Sequence, residues 1–137
     1  MGKTQRETLR LMFDGRCAYC GCVLGDKWHA DHVEPVLRQL KHVPGKGFVC
    51  TGKMFRPENH RTDNLVPACI PCNIDKATFT VDQWRNKLET TCDVLGRNNA
   101  TYKHGVRFGV IVEARKPITF HFERASELGA KVGGVNP

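Results

Sequence analysis

Two pairs of thiols, Cys17-x-x-Cys20 and Cys69-x-x-Cys72, are the residues best placed by type and spacing to do chemistry. Two residues between thiols let both sulfurs face one ion at about 2.3 Å, and two such pairs supply the four ligands of a closed tetrahedral Zn²⁺ site. A redox Cys-x-x-Cys or incidental buried thiols would account for one pair, but poorly for two matched ones. Cys22 competes with Cys20 as a ligand. Cys50 and Cys92 are read as spare, Cys92 because a thiol on the apolar face of a helix is an ordinary core group. Structural zinc at such a site contributes on the order of 10–16 kcal/mol of folding free energy, large beside a typical domain stability of ~5–15 kcal/mol.

Four residues between or beside these knuckles stand out: Asp31, His32, Asn64 and Asn73. Asp31-His32 closes an apparent strand just before Val33-Glu34-Pro35, Asn64 opens Asn-Leu-Val-Pro, and Asn73 directly follows the last thiol. If zinc draws the knuckles together, Asn73 at the start of a helix can face the strand end. A carboxylate and an amide oxygen are hard ligands suited to Mg²⁺ or Mn²⁺. A neighbouring neutral imidazole can take a proton from water. His29 shares a strand face with Asp31 by the two-residue period and is read first as a surface histidine. His42, His60, His104 and His121 carry no special expectation.

In order and combination these segments resemble the HNH endonucleases of the ββα-metal fold, in their four-cysteine form. The resemblance covers roughly residues 15–77 and rests on Cys17-Ala-Tyr-Cys20, Asp31-His-Val-Glu-Pro35, Asn64-Leu65 and Cys69-Ile-Pro-Cys72-Asn73-Ile-Asp-Lys76. It implies that His32 is the general base activating water, and that Asp31 and Asn73 hold one divalent ion against the scissile phosphate. It implies that Asn64 braces the loop between the two strands and so orients His32, and that Lys76 approaches backbone phosphates. Many members carry a metal-binding His where Asn73 stands, so the resemblance leaves the preference among Mg²⁺, Mn²⁺, Ni²⁺ and Zn²⁺ open. Short HNH proteins are common in phages and bacteria, which implies a cytoplasmic location in a bacterial or phage-infected cell.

The elements that must position these residues are read from pattern. Thr4-Gln5-Arg6-Glu7 reads as a capping box opening a short helix, with Leu9, Met12 and Phe13 on one face and Asp14-Gly15 stopping it. Residues 27–33 read as a strand ended by Pro35. Residues 41–63 are rich in Gly, Pro and Lys without a clear period and read as mostly loop, with room for a short helix near Val36–Lys41. A second capping box, Thr80 to Gln83, with Phe79 and Trp84 as a hydrophobic staple, opens an amphipathic helix of about three turns through Val81, Trp84, Leu88 and Cys92. Residues 96–100 read as a linker or turn. Val106, Phe108, Val110 and Val112 alternate, as do Ile118, Phe120 and Phe122, so 106–123 read as a β-hairpin. Trp28 and Trp84 are expected in the core. The elements read from pattern are α+β, and with the resemblance they imply a zinc-stabilised ββα-metal domain over residues 1–92 with an N-terminal helix. Residues 93–137 are expected to form a C-terminal β-hairpin extension packed on the same domain.

The chain of 137 residues carries a net charge of +7, and that length suits one domain. No apolar run approaches the roughly 18–20 residues that cross a bilayer, and the first residues lack the apolar stretch of a secretory signal. Missing a signal, an odd number of cysteines speaks for metal rather than a disulfide framework. The positive surplus is local, +4 over residues 37–63 and +3 over 93–137, with balance elsewhere. A local surplus is the footprint of polyanion binding, and Lys46, Lys53, Arg56 and Arg61, with Lys76, are the candidate contacts to double-stranded DNA read mainly through its backbone. The expected function is a metal-dependent DNA endonuclease. A zinc-ribbon-like nucleic-acid binding module without catalysis is the alternative, and a protein-interaction zinc module a weaker third.

Overall fold

The computed structural model describes residues 1–126; the last eleven residues of the expected extension, 127–137, lie outside the described part. The chain divides into two compact units. The division falls at Thr80/Val81 rather than after residue 92, and residues 120–126 return to the first unit. Among the described residues, no helix is long and apolar enough to cross a membrane.

The first unit opens with helix α1, Lys3–Leu11. Its cap lies two residues ahead of the expected Thr4: the Gly2 amide donates to Gln5 Oε1 at 3.1 Å. The turn at Asp14-Gly15 ends it as expected, both residues having positive φ (54° and 72°) and the Gly15 amide returning to Arg10 O at 3.2 Å. Leu9 is the buried contact of the helix, whereas Met12 stays half exposed. Arg6 anchors α1 by donating to Trp28 O at 2.7 Å while its guanidinium stacks 3.9 Å from the Trp28 ring. Trp28 is buried.

Strand β1 (His29–His32) pairs antiparallel with β4 (Leu65–Ala68), which leads through Cys69 into helix α2 (Ile70–Lys76). In this register Asp31 faces Val66 and His32 faces Leu65. The small core gathers around this β-β-α unit from Ala18, Tyr19, Leu24, Val66, Ala68 and Phe120, among others.

Between β1 and β4 the chain forms a second antiparallel pair, β2 (Leu37–Val43) with β3 (Gly47–Phe55). This corrects the expectation of loop over 41–63 and of a short helix near Val36–Lys41. No residue of the two strands is buried, and most are exposed. With neither face buried, no alternation of apolar and polar residues is imposed, so its strands leave no period to read.

Residues 121–126 are helical, and the segment before them closes over the first knuckle. The His121 and Phe122 amides donate to Tyr19 O and Ala18 O at 2.9 and 2.7 Å, and Phe120 and Phe122 meet the Tyr19 ring edge-on. Gly21, at φ +76°, lies under the His121 ring; a Cβ there would sit 3.1 Å from Nδ1. That close approach and the positive φ both require glycine.

The second unit holds helices α3 (Val81–Glu89), α4 (Thr91–Asn98) and α5 (Ala100–Arg107). The single helix expected through Cys92 breaks at Thr90, whose hydroxyl donates to Asn86 O and Lys87 O at 2.9 and 3.2 Å. Trp84 is buried, as expected. The expected linker at 96–100 is helix and cap: Asn99 Oδ1 accepts from the Tyr102 amide at 2.9 Å.

The hairpin expected at 106–123 is absent. Val106 ends within α5, Gly109 turns the chain at φ +74°, and residues 112–120 have no strand partner. Side chains satisfy this segment instead. Glu89 accepts from the Ile118 amide at 2.9 Å and Arg85 donates to Ile118 O at 2.6 Å, while Arg115 bridges Asp93 and Glu113. Phe108, Val110 and Val112 are 77–86% exposed, so their alternation marks no buried strand face.

Candidate metal centre and active-site cavity

The four knuckle sulfurs of Cys17, Cys20, Cys69 and Cys72 lie within 4.8 Å of one another. Sulfurs at about 2.3 Å from one tetrahedral ion stand about 3.8 Å apart, and Cys20 Sγ to Cys69 Sγ measures 3.8 Å. The cluster is therefore able to hold a metal ion such as zinc. Local backbone builds it. The Cys17 amide donates to Cys22 O and the Gly21 amide to Cys17 O, folding the first knuckle, and the Cys69 amide points at Cys17 Sγ at 3.4 Å. A hydrogen bond from Cys72, opposed by burial and helped by backbone amides, holds the Cys17 thiol down to about 4. The same shared proton pushes Cys72 up. One thiol is thus poised as thiolate, the form that binds metal. Cys22 is exposed and lies outside the four-sulfur group. Cys50 is exposed and Cys92 partly buried.

At the other end of β1, Asp31, His32 and Asn73 line one cavity of about 450 Å³, joined by His29 and by Arg38 and Leu40 from β2. His29 is exposed. Asp31 is buried at 8% exposure. Its Oδ2 accepts from the Tyr19 hydroxyl at 2.5 Å and pairs with Lys76 Nζ at 3.1 Å. Burial and then the Asp31 charge push the Tyr19 hydroxyl far up, so it stays a donor. Oδ1 keeps its lone pairs unengaged among the described residues, as does the Asn73 carboxamide.

Lys76 does not lie where phosphates could be reached. It is fully buried and its ammonium donates to His32 O at 2.8 Å while pairing with Asp31. Seated between that carboxylate and that carbonyl, it is a clamp inside the protein, which corrects its expected place among the DNA contacts. Lys46, Lys53, Arg56 and Arg61 are exposed; Arg61 pairs with Asp63 at 2.8 Å.

Asn64 is 4% exposed and ties together two separate stretches of chain. Its Oδ1 accepts from the Glu34 amide at 2.9 Å, and its Nδ2 donates to Glu34 O and Asn59 O, both at 2.8 Å. Those bonds fix the turn after His32 to the loop that carries His60. His60, which no local pattern singles out, stands with Nδ1 3.0 Å from His32 Nε2. Burial first, and next the charge of His60, hold the His32 imidazole below its ordinary range, partly offset by Asp31. At neutral pH His32 is therefore an uncharged imidazole with Nδ1 free of protein partners among the described residues. Compared with models of known protein families, with characterised proteins and with solved structures, the chain finds no significant match.

Proposed function

We propose that this chain is a metal-dependent DNA endonuclease of the HNH type, with zinc in the four-cysteine cluster as a structural ion. The reading is carried by one observation: Asp31, His32 and Asn73, distant in sequence, line a single cavity beside a β-β-α unit. Asp31 and Asn73 both line that cavity, and a carboxylate and a carboxamide oxygen are hard donors, a fit for Mg²⁺ or Mn²⁺. Such an ion, when bound, supplies neutralisation of charge growing on the phosphate and the leaving oxygen.

The protein's own groups do the rest. With its Nε2–H donating to His60 Nδ1, His32 keeps the Nδ1 lone pair that can accept a proton from the attacking water. A positioned base contributes typically 10²–10⁴-fold. Asn64 holds the turn after His32, and Lys76 holds the His32 carbonyl, so the backbone that carries the imidazole is fixed.

A second reading is favoured by the Lys76–Asp31 pair: a carboxylate already engaged by a lysine and a tyrosine can be purely structural, leaving a non-catalytic nucleic-acid binding zinc module. Nicking of supercoiled plasmid by zinc-loaded protein, with and without added Mg²⁺ or Mn²⁺, separates the two. His32→Ala should lose at least about 10²-fold in nicking while keeping its zinc stoichiometry and circular dichroism. A wild-type protein that binds DNA without nicking it, or a His32→Ala protein that nicks at the wild-type rate, refutes the nuclease.

A further inference from the structure

The β2–β3 ribbon lends Arg38, Leu40 and Cys50 to the cavity wall, and its charge is one-sided. Residues 37–56 carry five basic side chains, Arg38, Lys41, Lys46, Lys53 and Arg56, and no acidic one. Leu40, Phe48 and Phe55 are 53–73% exposed on the same ribbon, apolar surface that a partner can cover. Its register sets Leu40 opposite Cys50 and His42 opposite Phe48. These two pairs share one face by the two-residue period. Leu40 and Cys50 line the cavity with Asp31, His32 and Asn73. The same face therefore runs from the cavity to the tip, where the His42 and Phe48 rings meet edge-on at 5.5 Å.

We propose that this ribbon is a DNA-groove arm, resting on the reading that the cavity acts on DNA. It lies in the major groove of B-form duplex beside the phosphate presented to His32. Lys41, Lys46 and Lys53 contact flanking phosphates, and the His42–Phe48 pair rests against base edges. Dimensions agree. Two strands about 4.8 Å apart with their side chains fill a groove about 12 Å wide, which admits a two-stranded ribbon. The seven residues of β2 extend roughly 20 Å, about six base pairs of a duplex rising ~3.4 Å per pair. Duplex RNA, whose major groove is deep and narrow, does not accept the arm.

The test is equilibrium binding of the zinc-loaded full chain to a DNA duplex of about 24 base pairs, long enough for the groove footprint, and to the same duplex in RNA. Binding is followed over a salt series without added divalent ion. Lys41→Gln/Lys46→Gln/Lys53→Gln should flatten the slope of log K against log salt by about 2–3, close to 0.9 for each phosphate no longer neutralised. Phe48→Ala should leave that slope unchanged and weaken DNA binding about three- to tenfold. Duplex RNA should bind at least about tenfold more weakly than DNA and ignore Phe48→Ala. An unchanged slope in the lysine variant, equal affinity for DNA and RNA, or equal binding to anionic vesicles overturns the arm. The plasmid-nicking assay fails separately: a protein that never nicks can still show the groove signature, and one that nicks can lack it.

Discussion

Replacing Lys76 by methionine tests whether the buried lysine is a clamp or a phosphate contact. Its side chain is 0% exposed and that of Asp31 is 10% exposed, with Nζ 3.1 Å from Oδ2. Methionine keeps most of the volume and removes the charge. Asp31 is then left as a buried carboxylate with Tyr19 as its remaining partner, and His32 O loses its donor. Breaking a buried pair from one side costs about 3–5 kcal/mol, a factor of roughly 10²–10⁴ in the folding equilibrium. The loss should appear in urea denaturation of zinc-saturated protein. Adding Asp31→Asn removes the stranded charge, so the double variant should be more stable than Lys76→Met alone, with a coupling of about 1–3 kcal/mol. A phosphate contact predicts the opposite pattern: little loss of stability and a salt slope for DNA binding smaller by about 0.9. That pattern, with an unshifted urea midpoint, would refute the clamp.

Two further perturbations address the neighbouring groups. Cys69→Ser should remove one metal thiolate and lose zinc and cooperative unfolding together; a zinc-free variant with an unchanged, sharp thermal transition would disprove the structural role of the cluster. His60→Ala deletes the charge that disfavours protonated His32, so the acid limb of the nicking-rate profile should move to higher pH. A histidine held below its ordinary pKa of about 6.5 stabilises the fold above that value and loses the contribution as pH falls through its lowered one; His60→Ala should narrow that loss. One lost hydrogen bond of ~0.5–1.5 kcal/mol should also slow nicking at pH 8 about two- to twelvefold, and His60→Asn, which can accept from Nε2–H, should recover part of the rate. An acid limb that stays in place would show that His60 does not set the protonation of His32.

What is legible in the sequence is local. The knuckles are readable because Cys-x-x-Cys is a spacing, and the strand ending in Asp31-His32 because Pro35 stops it, although it runs over His29–His32 rather than 27–33. The ribbon and the tail mislead for one physical reason taken in two directions. A period in sequence reports burial, and the ribbon's strands bury no face, while the alternating Phe108, Val110 and Val112 are apolar but exposed. Lys76 and His60 are illegible for another reason. Each matters through a partner far along the chain, Asp31 for Lys76 and His32 for His60, and nothing near them in sequence says that the lysine turns inward or that the imidazole has a mate.

Those long-range pairs also explain why the end of β1 can be held firmly on so small a core. Helix α2 grips it from one side, since Lys76 takes both the Asp31 carboxylate and the His32 carbonyl. The 57–64 loop grips it from the other, since Asn64 ties Glu34 on both its amide and its carbonyl and ties Asn59 next to His60. The two grips depend on different chemistry: one is a buried charge pair, sensitive to removal of either charge, and the other a neutral carboxamide bridging backbone groups. Loss of the Asn64 carboxamide therefore frees His60 along with the turn after His32, whereas loss of Lys76 leaves the His32–His60 pair without its anchor to α2. A site assembled this way has the backbone around His32 held at its carbonyl and at the following turn, with the ring's Nε2 beside His60 Nδ1.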